Sequence, residues 1–109
     1  MFVTTNDTAI GREEIFGPVL VMIGYDNVDH AVEIANDSTF GLAGYVNGID
    51  SELCNAVAKR MRTGWVSVNN GFDFHAPFGG YKRSGNGREW GDYGFHEYLE
   101  IKTILNYAP

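Results

Sequence analysis

The chain has 109 residues, the length of one small domain, and its 44% apolar and 20% charged residues are those of a folded protein rather than a disordered one. Eight Lys and Arg stand against fourteen Asp and Glu, a net charge of −6 at pH 7, which excludes the basic face that nucleic-acid binding needs. The longest apolar run, Val19 to Ile23, is far too short to span a bilayer, the first residues lack the pattern of a signal peptide, and the single Cys54 can form no internal disulfide. A cytoplasmic protein without a membrane or nucleic-acid partner is the expectation.

Taken in chain order, residues 1–12 are polar and read as a loop or frayed lead-in. Val19-Leu20-Val21-Met22-Ile23 has the continuous branched composition of a strand buried on both faces, as in parallel sheets. Asp26 or Asn27 then caps a helix in which Val28, Ala31, Val32 and Ala35 recur at helical spacing. Leu42 to Val46 reads as a second strand, followed by a turn at Asn47-Gly48. Asp50 caps a second helix with an apolar stripe of Leu53, Ala56, Val57 and Met61, and Gly64 stops it. Lys59, Arg60 and Arg62 fall in its last turn, where cations complement the helix dipole.

Trp65 to Asn69 alternates with period two and reads as a third strand. Strand, helix, strand, helix, strand implies parallel pairing through crossovers. Half of the fourteen glycines lie between Gly71 and Gly94, which marks that stretch as irregular backbone. A short helix is expected over Tyr93 to Leu99, and Ile101 to Tyr107 has strand composition.

Several features that mimic functional motifs lack the required context. Gly85-Asn86-Gly87 follows no strand and has the wrong spacing for a dinucleotide turn, and Gly79-Gly80-Tyr81-Lys82 is not a P-loop. His30, His75 and His96 have no ligand spacing, so no metal site is expected. Cys54 sits within a helix, with nothing nearby to depress its pKa, and reads as structural.

Two segments carry a sharper signal: Glu13-Glu14-Ile15-Phe16-Gly17-Pro18 and, some sixty residues later, Pro77-Phe78-Gly79-Gly80-Tyr81-Lys82-Arg83-Ser84-Gly85-Asn86-Gly87-Arg88-Glu89. In that order they resemble the C-terminal part of the NAD(P)-dependent aldehyde dehydrogenases, and the likeness runs from about Gly11 to Tyr107. The resemblance implies an α/β fold, the C-terminal part of a catalytic domain built on a parallel three-layer sheet. Residues 1–98 would be the partial catalytic domain and 99–109 an oligomerisation tail strand.

By the same resemblance Glu14 would accept hydrogen bonds from the nicotinamide ribose hydroxyls, a task for a carboxylate because it can take two at once. Phe16 would lie beside the nicotinamide ring. Phe78, with Phe72 and Phe74, would line the aldehyde tunnel, although on pattern alone the three phenylalanines fit core packing equally well. Arg88 and Glu100 would pair at a subunit interface, where a buried charge needs a partner; in an isolated chain two solvated surface charges are as good a reading.

In that family a cysteine thiolate attacks the aldehyde, hydride passes to NAD(P), and a glutamate activates water to release the acid. The catalytic cysteine and general base lie upstream of the motifs present here, so this chain is expected to supply no catalytic residue. Alone it is expected to bind neither NAD nor NADP and to be inactive. Its expected partners are the remainder of the dehydrogenase or further copies of itself, with a small aldehyde as substrate of the complete enzyme. The competing expectation is a non-catalytic oligomerisation or interaction module derived from the same fold.

Overall fold

In the computed structural model, which describes residues 1–106 and 108, four short strands and four helices build two separate parallel ribbons. Strand β1 (Phe2–Thr4) pairs with β2 (Val21–Ile23), and β3 (Ala43–Val46) pairs with β4 (Trp65–Val68). Helix α1 (Ala9–Arg12) lies between β1 and β2, α2 (Val28–Asn36) leads from β2 to β3, and α3 (Ser51–Ala58) forms the crossover from β3 to β4. A 3₁₀ turn at Lys82–Ser84 and helix α4 (Gly91–His96) interrupt the glycine-rich segment.

The helices start where side chains accept the free backbone donors of the first turn. The Asn27 side chain accepts from the His30 N–H at 3.0 Å, and Asp50 accepts from the Leu53 N–H at 3.0 Å. Their C-terminal ends are fastened together by Asn36. Its amide donates to the Arg60 carbonyl at 2.9 Å and its oxygen accepts from the Arg62 N–H at 2.7 Å. Lys82 reaches the same corner, donating to the Asn36 and Ser38 carbonyls, both at 2.8 Å. These bonds hold α2, α3 and the glycine-rich loop around one point.

The lead-in is more ordered than its composition suggests. Polar side chains here make local structure: Thr8 caps α1 by accepting from the Gly11 N–H, and the Phe2 N–H reaches the Leu20 carbonyl at 2.8 Å. The strand at Val21–Ile23 therefore finds its partner in residues 2–4 and not in β3. Helix α3 ends at Ala58, before Met61. Tight turns onto the Val57 and Ala58 carbonyls finish it, so Arg60 and Arg62 follow the helix and Arg60 pairs with Asp29 at 2.8 Å. Helix α4 begins two residues before Tyr93 and stops short of Leu99.

The tail departs furthest from expectation. Residues 99–106 form no strand, and Ile101, Ile104 and Leu105 are exposed; Tyr107, the last residue of the expected strand, lies outside the described residues. A strand needs a ladder partner for its backbone donors and acceptors, and no described segment pairs with this one. Asn106 also turns out of extended geometry, with φ of 59°.

The core is thin. Among the described apolar side chains only Val32 and Cys54 are buried, while Phe16, Ile49, Tyr98 and Ile101 are almost wholly exposed. A folded monomer of 12.1 kDa shows about 6,000 Å² of surface, whereas this chain shows 8747 Å², roughly half as much again. The radius of gyration is 18.2 Å, where a compact chain of this length has about 13 Å. Exposed side chains such as Phe16, Leu20 and Ile101 contribute to the excess surface, apolar area of the kind that proteins cover with a partner. No helix of the described residues is long and apolar enough to cross a membrane.

Candidate functional site

The glycine-rich segment folds back against β4 and gathers six aromatic residues. Phe78 and Glu89 exchange two backbone hydrogen bonds, both 2.7 Å, in an isolated antiparallel bridge. That bridge closes residues 79–88 into a loop whose path depends on missing side chains. A Cβ on Gly64 would overlap the Gly79 carbonyl, and one on Gly91 would overlap the His75 carbonyl. The loop lies against the start of β4 because glycine stands at both contacts.

Trp65, at the start of β4, is the hub. Its ring meets Tyr45 at 5.7 Å, Phe72 at 6.2 Å and Phe78 at 6.1 Å between centroids, all edge-on. Trp90 closes the opposite side, 4.9 Å from Phe78, 5.5 Å from Phe74 and 5.7 Å from Phe72. Phe72 and Phe74 themselves meet edge to face at 4.6 Å. Edge-to-face geometry sets the positive rim of one ring against the negative face of the next, so the cluster has a preferred shape as well as apolar bulk.

Between these rings lies a cavity of about 380 Å³ lined by Tyr45, Trp65, Phe72, Phe78 and Trp90, with Ser67, Asn70 and Gly71. None of its walls carries a charge. Ser67 is buried, and its hydroxyl donates to the Gly71 carbonyl at 2.8 Å, so its donor is already used. Phe74 stacks behind this wall without lining the cavity. The segment between Phe72 and Phe74 is set by Asp73, whose carboxylate accepts from the His75 N–H at 2.8 Å, a side-chain turn that mimics a backbone one. That bond, with the His75 ring, holds the Asp73 carboxyl below its usual range.

Glu14 and Phe16 lie elsewhere, in the loop that follows α1. Glu14 has no ion pair with any described residue and faces a cleft shared with Ser38, Phe40, Gly41, Leu42, Arg83 and Ser84. Phe16 is 95% exposed. The Glu14 cleft shares Leu42 and Ser84 with a groove along Gly79, Gly80 and Gly87, and that groove shares Phe78 with the aromatic cavity. The Glu14 cleft and the aromatic cavity are thus neighbours on either side of this groove.

The expected Arg88–Glu100 pair is not formed in this chain. The Arg88 guanidinium already donates to the Gly80, Asn86 and Gly87 carbonyls at 3.0, 2.8 and 2.9 Å and stands 5.8 Å over the Tyr81 ring. Its backbone N–H reaches Glu97, not Glu100, at 3.3 Å. Arg88 is a brace for the loop here. Cys54 is 5% exposed and packs against Gly48, which withholds the thiol from solvent. No described cluster of His, Cys, Asp or Glu is arranged to hold a metal ion.

The sequence reading singled out Phe72, Phe74 and Phe78 but not Trp65, Tyr45 or Trp90. Trp65 and Tyr45 share one face of paired strands in register, which only the Ala43–Trp65 pairing reveals. Trp90 was open to detection by one signal, a large aromatic inside an otherwise glycine-rich stretch.

The model of the aldehyde dehydrogenase family matches residues 1–104. The chain belongs to that family. It is 58% identical over 99 residues to 3-succinoylsemialdehyde-pyridine dehydrogenase of a Pseudomonas species, covering 90% of this chain and 21% of that protein. A crystal structure of a mutant aldehyde dehydrogenase C from Pseudomonas syringae, in complex with NAD+ and octanal, superposes with a TM-score of 0.88. It is 54% identical and covers 98% of this chain and 23% of that one. A Mycobacterium tuberculosis aldehyde dehydrogenase complexed with NAD+ gives a TM-score of 0.84 at 40% identity, covering 98% of this chain and 24% of that one. The chain therefore spans about a fifth of the length of the aldehyde dehydrogenases it matches.

Proposed function

We propose that this chain is the C-terminal catalytic-domain portion of an NAD(P)-dependent aldehyde dehydrogenase, supplying cofactor-positioning and aldehyde-binding surface to an active site completed by other residues. The observation that carries the reading is the uncharged aromatic cavity, with the Glu14 carboxylate, unpaired among the described residues, in a neighbouring cleft. An apolar pocket with few polar groups is how proteins bind small organic molecules. A solvated glutamate with no structural task is what a ligand bearing vicinal hydroxyls requires.

The residues present fit a nicotinamide dinucleotide. Glu14 has its lone pairs free toward an open cleft, and Phe16 offers a whole unburied ring. In this reading Glu14 accepts from the ribose hydroxyls, Phe16 restrains the nicotinamide, and the dinucleotide, when bound, supplies the hydride acceptor. Phe72 and Phe78 hold the aldehyde tail, with Phe74 packed behind them, and exclude water around the reacting carbon. The nucleophilic thiol and the general base come from outside this chain, in keeping with a Cys54 that is buried. Residues 1–98 then belong to the catalytic domain and 99–109 to a tail whose unpaired apolar residues take a partner strand, with Arg88 and Glu100 nearby at the subunit interface. Because nucleophile, base and binding groups act as a unit, the chain alone should oxidise no aldehyde.

The test is a chimera in which this chain replaces the matching segment of the P. syringae aldehyde dehydrogenase C. NAD+-dependent oxidation of acetaldehyde by the chimera, followed at 340 nm and absent from the 109-residue chain alone, is the expected result. A folded chimera that binds NAD+ but turns over no aldehyde would remove the enzyme reading and leave the interaction module in its place.

A further inference from the structure

Trp90 occupies a backbone conformation that suits glycine, with φ of 64° and ψ of 160°. A side chain is held there only when the surrounding structure imposes it, and such residues gather at functional sites. The constraint is visible on both sides. The preceding residue, Glu89, is locked to Phe78 by the two-bond bridge, and the Trp90 carbonyl accepts from the Gly94 N–H at 3.0 Å to start α4. The following residue, Gly91, fits beneath the His75 carbonyl only for want of a Cβ. Local geometry favours glycine at position 90, yet the largest side chain stands there.

Its ring accounts for that choice. Trp90 is half-buried, and it lines the cavity together with Trp65, its ring tilted by 32° against Phe78. Removing the indole would open the cavity on the α4 side. We infer that Trp90 is a specificity-determining residue: its indole, held rigid by the strained backbone, selects aldehydes with an apolar alkyl or aryl tail over short or charged ones. This rests on the enzyme reading above and names the substrate class for the same cavity. A carboxylate or ammonium on the tail would meet aromatic rings and no opposite charge, with the Ser67 donor already used and Asn70 the remaining polar side chain of the lining, whereas an apolar tail buries its surface against the rings.

The experiment compares octanal, acetaldehyde and succinate semialdehyde as substrates of the chimera, before and after Trp90→Gly and Trp90→Phe. Glycine suits the backbone at this position, so Trp90→Gly removes the ring without adding strain. The expected result is that the octanal-to-acetaldehyde ratio of kcat/KM falls roughly tenfold or more in Trp90→Gly, mainly through KM for octanal, and that Trp90→Phe restores most of the preference. An octanal-to-acetaldehyde ratio of kcat/KM unchanged in Trp90→Gly, with acetaldehyde still oxidised, overturns the inference and leaves the enzyme reading intact. An equal fall for both aldehydes assigns Trp90 to packing alone and also overturns it. A chimera that prefers succinate semialdehyde to octanal contradicts the substrate class. A chimera inert toward every aldehyde removes both readings together.

Discussion

The two halves of the candidate site are built in opposite ways. The aromatic loop, residues 72–90, is held by stacked rings, by the Phe78–Glu89 bridge and by an arginine bonded to three carbonyls. The segment carrying Glu14 and Phe16 has two exposed functional side chains on a loop, and its stability comes from neighbours in α1 and α2. One half is formed before any ligand arrives. The other presents free groups to a ligand or partner that has yet to order them. Preformed apolar walls give selectivity by shape, whereas a free carboxylate keeps its hydrogen-bonding capacity for the ligand.

The contrast can be broken most strongly at its hub. Trp65→Ala removes the ring that touches Tyr45, Phe72 and Phe78, and should destabilise the chimera by about 3 kcal/mol in urea unfolding. A loss well below 1 kcal/mol would mean that the aromatic half is not self-supporting. Gly64→Ala drives a methyl group into the Gly79 carbonyl and should cost about 2 kcal/mol, with octanal oxidation falling more than NAD+ binding because the loop carries the tail pocket.

On the other side, Glu14→Gln should leave the melting midpoint unchanged, since the carboxylate has no ion pair to lose, while KM for NAD+ rises roughly tenfold from the loss of charge-assisted bonds to the ribose. An unchanged KM for NAD+ would take the cofactor role away from Glu14. Phe16→Ala, made alongside, separates ring restraint from ribose binding through its effect on kcat.

The smallest effect concerns the support beneath that loop. Arg12 donates to both Asp37 carboxylate oxygens, at 2.8 and 3.0 Å, and Asn6 adds a third bond. The hydrogen bonds from Arg12 and its charge hold the Asp37 carboxyl below its ordinary value of 3.8. A depressed carboxylate contributes stability that is complete above the unfolded-state value and is lost as pH falls through the folded one. The difference in melting midpoint between wild type and Asp37→Asn should therefore be small at pH 7, shrink below pH 4, and diminish in high salt because both partners are exposed. A difference that grows on acidification would contradict this sign.

Much of the local structure was legible because its signals are local. Asn27 and Asp50 are capping residues in the right place, the alternation from Trp65 marks β4, and Asp50 to Val68 reads as one helix-and-strand crossover. The lead-in was misread because threonines and an asparagine near a strand look like a loop until the partner strand is known. The tail stays unpaired within this chain for the converse reason: Ile101 to Leu105 has strand composition, but composition cannot supply the partner edge a strand needs. Within this chain Arg88 is taken up by the Gly80, Asn86 and Gly87 carbonyls, and no sequence pattern displays carbonyls.

The sequence by itself determined the family, the capped helices, the glycine-rich loop and the candidacy of Glu14, Phe16 and Phe78, since all of these rest on residue type and short spacing. Only the tertiary structure decided that Val21–Ile23 pairs with Phe2–Thr4 and that Trp65 and Trp90 line the same cavity. It alone also set Trp90 in a conformation made for glycine. Residue type and spacing are properties of a few adjacent positions. Pairing, facing and strain arise between positions far apart in the chain, from steric and hydrogen-bond competition that exists only once the chain has closed on itself.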